Sequence, residues 1–317
     1  FDLPNQAIFG LGFFNGSATF DSTLELSGLD PVTRSTAGLG TGGFIDEEAV
    51  SVSTRTRTYS VYFTDTLSLT SQLDLSVGVR YNNTSVDVRD RTGEAPELNG
   101  SHTFQRANPS VGLTFMASEA TNLYASYSES SRAPTPIELS CNEATFEIKR
   151  QLEGLPADAP LDVCRLPNAF VADPPLEQVV AKGIEFGSRG DVFGGVRYHA
   201  GYYRITNHDD IIWQTADVGG QGLFAQVDKT RRQGFEGSLF GTTGALNWFM
   251  NYGYLEATYQ SAFSAVSPAH DFANAEGEIQ VQKGDRIPGI PAHQLKLGGD
   301  YLFPFGLSVG ADMAYFS

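Results

Sequence analysis

Leu73, Leu75, Val77, Val79 and Tyr81 alternate strictly with Asp74, Ser76, Gly78 and Arg80. A period of two puts the first set on one face of a β-strand and the second on the other, which a helix cannot do. Similar patterning recurs at residues 17–26, 52–63, 111–115, 123–127, 184–186, 196–202, 224–240, 248–254, 295–301 and 307–315. The breaks between these stretches alternate in length. Short ones fall near 65–71, 118–121, 190–191, 241–244 and 303–306, and long ones near 28–50, 91–103, 133–175, 207–221 and 260–285. In an up-and-down antiparallel sheet this parity gathers every short turn on one rim and every long loop on the other. Sandwiches built on Greek keys show no such parity, whereas membrane-spanning barrels have short turns at one end and long loops at the other. The pattern therefore predicts an all-β chain, a transmembrane up-and-down antiparallel β-barrel contributing about eleven strands.

The face opposite the apolar one carries charge. Arg80, Glu185, Arg197, Arg232, Glu236, Lys296 and Asp300 occupy strand interiors at alternate positions. Facing lipid at the bilayer midplane, an Arg or Lys costs about 2–4 kcal/mol; facing an aqueous lumen it costs little. A solvated sandwich face also tolerates such charges, but strands of roughly 12 to 16 residues exceed the usual 5 to 6 and cover the roughly 9 to 11 that cross a bilayer. A mean hydropathy of −0.19 excludes a bundle of membrane helices and is compatible with a barrel, in which only alternate residues meet lipid. The formal charge of −16 has the wrong sign for a phosphate backbone, so nucleic acid is not an expected partner. The chain begins at Phe1, with no Met and no leader pattern, and reads as a processed or partial chain.

Several motifs resemble those of TonB-dependent outer-membrane receptors. Leu123-Tyr124-Ala125-Ser126-Tyr127-Ser128, followed by Ser131-Arg132-Ala133-Pro134-Thr135, is similar to the family's strand that ends in a Phe-Arg-Ala-Pro-Thr-like motif before a long outer loop. Leu75 to Tyr81 resembles its Leu-x-x-Gly-x-Arg-Tyr strand. Asp210-Ile211-Ile212 with Gly234-Phe235-Glu236, and Arg286-Ile287-Pro288-Gly289-Ile290-Pro291 leading to His293 and Leu295, resemble two further family elements. The four motifs lie in order over nearly the whole chain. The resemblance covers the barrel alone: it implies that residues 1–317 are part of a barrel of the 22-stranded type, without the plug domain, the TonB box or the final strands. It further implies an outer-membrane location in a Gram-negative bacterium and TonB-driven uptake of a scarce nutrient, a ferric siderophore or similar complex, through that plug. The chain would act as a monomer in contact with outer-membrane lipid, with no catalytic activity. A passive porin-like channel and a soluble secreted β-sandwich are the competing readings.

Arg132 shares the parity of Tyr124, Ser126, Ser128 and Ser130, so it should face the lumen, either toward a plug or anionic ligand or paired with a neighbouring carboxylate. Cys141 and Cys164, both in the longest loop, read as a structural disulfide worth roughly 3 kcal/mol of loop entropy; two cysteines do not complete a zinc shell. No cofactor or metal is expected. His208-Asp209-Asp210 is the one cluster with ligand character, and it reads more simply as a solvated turn. Asp228, Arg232 and Glu236 recur every four residues and read, with Arg80 and Glu185, as lumen charges, the first three forming a salt-bridge ladder. Phe146, Arg150, Trp213 and Phe224 are the loop residues with the chemistry to contact a ligand. Serine is too frequent for a Ser-His-Asp set to be singled out.

Overall fold

The computed structural model describes residues 4–36, 38–93, 98–139, 156, 163–164, 170–171, 176–192, 195–215, 222–267, 269–275 and 277–317. Among these the chain forms β1 (Asn5–Ser27), β2 (Gly40–Ser68), β3 (Leu73–Asp90), β4 (Gly100–Ser118), β5 (Thr121–Arg132), a single helical turn α1 (Pro136–Leu139), and the short β6 (Val163–Cys164) and β7 (Phe170–Val171). There follow β8 (Val179–Val192), β9 (Val196–Thr215), β10 (Gly222–Thr243), β11 (Leu246–Tyr259), the small β12 (Phe263–Val266) and β13 (Glu278–Val281), then β14 (His293–Leu302) and β15 (Ser308–Phe316). Eleven of these make one antiparallel wall in the order β1-β2-β3-β4-β5-β8-β9-β10-β11-β14-β15. The wall is open, with β1 and β15 at its edges. β12 and β13 pair separately, within the long connection between β11 and β14.

The register shows why the alternation exists. Phe9, Phe63, Val79 and Pro109 stand in one row across β1 to β4, and Leu75, Leu113, Ala125, Phe186, Tyr202, Phe235 and Tyr254 continue the same face across β3 to β11. Met250, Leu297 and Met313 carry it to the far edge. These side chains are open to the surroundings: Phe186 is 54% exposed, Val79 44% and Leu113 44%. A water-soluble protein does not leave so large an apolar face uncovered; the face fits a lipid environment.

The core lies on the other face, at the long-loop end. Val86, fully buried, belongs to the parity opposite Leu75 and Val79 and packs with Leu139 of α1 and with Leu176. Phe104, Ile211 and Phe224 close around them. Thus the segment leaving β5 turns inward, and α1 sits against β2 and β3.

Three expectations need correction. The wall begins twelve residues before the first patterned stretch, at Asn5, and β2 begins at Gly40, inside a segment read as connection. Likewise β9 runs through 207–215. Residues 40–50 and 207–215 lie beyond the apolar band, where neither face need be apolar, so the side-chain alternation fades while the backbone ladder continues. The start of β1 lies inside the band, where Phe9, Leu11 and Phe13 alternate with Gly10 and Gly12, a pattern that sequence reading passed over. Around Gly40 the pairing with β1 survives through register shifts between Ser22 and Leu24 and between Glu25 and Ser27, and Gly42 takes a positive φ of 73° that a larger residue resists.

In β4, Pro109 supplies no amide proton. The β4–β5 ladder runs up to Ser110 opposite Ser128 and stops there. Past that point side chains take over: Arg106 Nη2 donates to Glu129 Oε2 at 2.6 Å, and Asn108 Nδ2 donates to Ser131 Oγ at 3.2 Å.

Candidate functional site on the inner wall

The inner face is polar, and its side chains gather at four places. On β5, β8, β9 and β10, register brings Tyr124, Glu185, His199 and Glu236 together. Ser126 stands opposite Glu185, Glu236 opposite Gly201, and Arg189 opposite His199. Tyr124 Oη and His199 Nε2 are 2.7 Å apart, with the two rings stacked at 5.9 Å, and Arg189 lies over the tyrosine ring at 5.9 Å. The tyrosine reaches over Gly187 and Gly201; a Cβ on either would come within 2.6 and 2.8 Å of its hydroxyl. One donor atom each from Glu185, His199 and Glu236 lie within 4.8 Å of one another. Two carboxylates and an imidazole can hold a proton or a divalent cation, though three donors leave a tetrahedral site one ligand short. Sequence reasoning missed this cluster. It expected no metal-ligating group beyond His208-Asp209-Asp210, because His199 stands alone in sequence and only strand register unites it with the two glutamates.

The second place is Asp210. Rather than a solvated turn, His208-Asp209-Asp210 lies inside β9. Asp209 has a φ of 54°, an irregularity that interrupts the β9–β10 register between Lys229 and Val227. Asp210 is 9% exposed and accepts hydrogen bonds from the Thr230 hydroxyl, from Asn207 Nδ2 at 3.2 Å and from Arg232 Nη1 at 3.4 Å. The expected ladder of Asp228, Arg232 and Glu236 does not form. Asp228 pairs with Lys229 at 3.3 Å, Arg232 with Asp210, and Glu236 joins the His199 cluster. A four-residue spacing along one strand spans roughly 13 Å, too far for direct contact, so cross-strand neighbours win. Arg80 donates to Ser60 Oγ at 2.7 Å and lies over the Tyr62 ring at 5.5 Å.

Third, Arg132 meets Glu138. Its Nη1 and Nη2 donate to the two carboxylate oxygens at 2.8 and 3.2 Å, a two-pronged grip, while the Thr135 amide and hydroxyl donate to Oε2 at 2.6 and 3.0 Å. Burial opposes ionisation of Glu138, but the bonds from Arg132 and Thr135 outweigh it and hold the carboxyl below its usual range. The Arg-Ala-Pro-Thr-Pro-Ile-Glu segment is thus a clasp that turns the chain inward after β5.

Fourth, Trp213 and Phe224, adjacent across β9 and β10, pack edge to face at 5.2 Å. Phe224 touches the buried cluster around Leu139, and Trp213 lines a cavity of about 730 Å³ beneath the β12–β13 hairpin, with Tyr259, Phe263, His270 and Arg286. Phe146, Arg150 and Cys141 lie outside the described residues, as does the side chain of Cys164, and with them the expected disulfide.

A model of the TonB-dependent receptor-like β-barrel matches residues 1–317. The chain belongs to that family. TonB-dependent receptor barrels are outer-membrane proteins of Gram-negative bacteria, and they are transporters, not enzymes. Among solved structures, the ferric-catecholate import receptor Fiu from Escherichia coli K12 in its closed form is similar with a TM-score of 0.68 and 18% identity, over 99% of this chain and 42% of that one. The siderophore receptor PiuA from Acinetobacter baumannii gives 0.61 and 16%, over 99% and 43%. The copper transporter OprC gives 0.57 and 14%, over 96% and 41%. The chain therefore spans about two-fifths of the length of each of these three proteins. At such identities the likeness speaks for the fold. No curated protein matches the chain.

Proposed function

We propose that the chain is part of the barrel wall of an outer-membrane receptor that takes up a scarce nutrient, a ferric siderophore or a similar complex, with import driven by TonB. The family match assigns all of residues 1–317 to the barrel, so the plug through which TonB acts would be a separate segment. The observation that carries the reading is the pairing of a lipid-compatible outer face with a polar inner face, whose long-loop end holds an aromatic cavity with one arginine. Trp213, Tyr259 and Phe263 offer aromatic surface and Arg286 a cation, beside the carboxylates of Glu278 and Asp285, so a chelate would be engaged there by its rings and by the one guanidinium. Fiu is a ferric-catecholate import receptor and PiuA a siderophore receptor, which favours the same cargo class. OprC is a copper transporter, so the fold does not select the metal.

The test is growth under iron limitation of a host lacking its own receptors, supplied with the full-length protein and a panel of ferric siderophores. Uptake that requires TonB and falls about tenfold in Trp213→Ala or Arg286→Gln, the loss of roughly 1.4 kcal/mol of binding, supports the reading. Steady ion conductance in planar bilayers with no TonB dependence would support the passive-channel alternative.

A further inference from the structure

The outer face does not stay apolar to its upper end. In β2 the outward positions run Phe63, Val61, Tyr59 and then Arg57 and Arg55. In β3 they run Val77, Val79, Tyr81 and on to Asp87 and Arg89. Tyr59 packs on Phe13 of β1 at 5.1 Å, and these rings mark the edge of the apolar band, where aromatic girdles sit in membrane barrels. The arginines begin one outward position above that edge, at the depth of lipid headgroups, on the long-loop side.

Register gathers them. Arg55 stands opposite both Ser17 and Asp87, and Ser53 stands opposite Arg89. Together with Arg57 they line one groove of about 430 Å³. The charges are not matched within the groove. Arg57 Nη2 pairs with Asp87 at 2.8 Å, but its Nε is buried without a hydrogen-bond partner among the described residues. Arg89 Nη1 reaches the carbonyls of Val88 and Gly100. Arg55 is exposed and has no hydrogen-bond or ion-pair partner among the described residues. The next acid above, Asp21, is engaged by Arg91 and Ser51. A chain of net charge −16 thus concentrates three arginines against one carboxylate on its lipid-facing side.

We infer that this groove binds the phosphate of an outer-leaflet lipid headgroup, anchoring the wall at a fixed depth. Guanidinium groups suit phosphate because they offer paired donors in a plane. The position argues for a lipid source, since the three arginines share the parity of the apolar outer face and stand just beyond its edge. The inference rests on the chain spanning an outer membrane.

The experiment uses the full-length protein in detergent. It is equilibrated with a bis-phosphorylated glucosamine lipid (lipid A), with the same lipid after removal of its phosphates, and with inorganic phosphate, and retained ligand is counted by native mass spectrometry. The wild type is expected to retain lipid A in preference to the dephosphorylated lipid. Arg55→Gln should weaken retention roughly fivefold, and Arg55→Gln/Arg89→Gln roughly 25-fold, leaving the Arg57–Asp87 pair in place. Lys296→Gln, which removes a charge from the opposite face of β14, should change nothing. If the double variant does not insert, the single Arg55 variant decides, because that side chain holds no partner whose loss could unfold the wall. Equal retention of the two lipids, equal retention by the variants, or inorganic phosphate binding as tightly as lipid A would each overturn the inference. A chain that stays dispersed in water without detergent would overturn the membrane reading itself.

Discussion

Glu138 is 8% exposed, yet its carboxyl is held below the usual range. Burial works against its charge, while Arg132 and Thr135 hold it in place by four hydrogen bonds. A carboxyl held below its usual value stabilises the folded state above the unfolded titration and loses that contribution as pH falls through the folded one. Carbon-13 NMR of the Glu138 carboxyl should therefore show a midpoint lower than a free glutamate's, moving up in Arg132→Gln. At neutral pH that substitution leaves Glu138 without its cation, and docking of α1 should weaken by roughly 1–3 kcal/mol, read as faster amide exchange at Leu139. An unchanged midpoint in the variant would refute the clasp. Much of this was legible in sequence: the lumen parity of Arg132 followed from counting, and a carboxylate partner was among the readings. The Tyr124, Glu185, His199 and Glu236 cluster was not legible. Its members are spread over four strands, and only the pairing of Ser126 with Glu185 and of Gly201 with Glu236 assembles them.

At the level of single strands, the alternation was legible in β3 and most of its neighbours, but in β1 it was read only from Ser17 onward, although Phe9, Leu11 and Phe13 carry the lipid-facing side below that point. Val79 and Ser76 have opposite parity in β3 and so lie on its two faces, which can be compared directly. Val79→Lys should lower stability in lipid vesicles by about 2–4 kcal/mol, whereas Ser76→Lys, on the polar face, should lower it by less than about 1 kcal/mol. Equilibrium refolding into vesicles measures both, and equal effects would sink the assignment of faces. Pro109 belongs to this scale too. Because it ends the β4–β5 ladder, the upper part of that seam depends on side chains. Arg106→Gln should therefore speed amide exchange at 129–132 by a factor of about five, in line with roughly 1 kcal/mol for a partly exposed ion pair, while leaving Leu123 and Ala125 protected. Sequence patterning could not show this, because Pro109 sits in phase with the apolar residues around it.

For the whole molecule, the parity of connections was the most informative thing in the chain. Along the eleven-strand wall the structure keeps it, with short turns after β2, β4, β8, β10 and β14 and longer connections after β1, β3, β5, β9 and β11. If the long loops face outward, a peptide tag inserted at Gly38, in the β1–β2 connection, should be labelled by antibody on intact cells, and one at Gly244, in the β10–β11 turn, only after the outer membrane is opened. The reverse result would invert the orientation. What patterning could not give was the packing of α1, Leu139 and Leu176 against the inner wall, since that depends on a segment turning back over residues 86 and 104, which are distant in sequence.

The length of β2 carries a consequence of its own. Its 29 residues pair with the 23 of β1, the surplus being taken up by the register shifts near Gly40. That ladder runs roughly 75 Å along the strand, and even at the usual barrel tilt it rises beyond the roughly 30 Å of hydrocarbon it crosses. With β1 and β3 beside it, the wall continues upward as a parapet after the lipid has ended. A solute drifting toward the cell would come under the shelter of this rim well before it reached the membrane plane. On the receptor function proposed above, capture would begin at a height set by the paired backbone, and a shortened hairpin would lower that height without touching the wall inside the lipid.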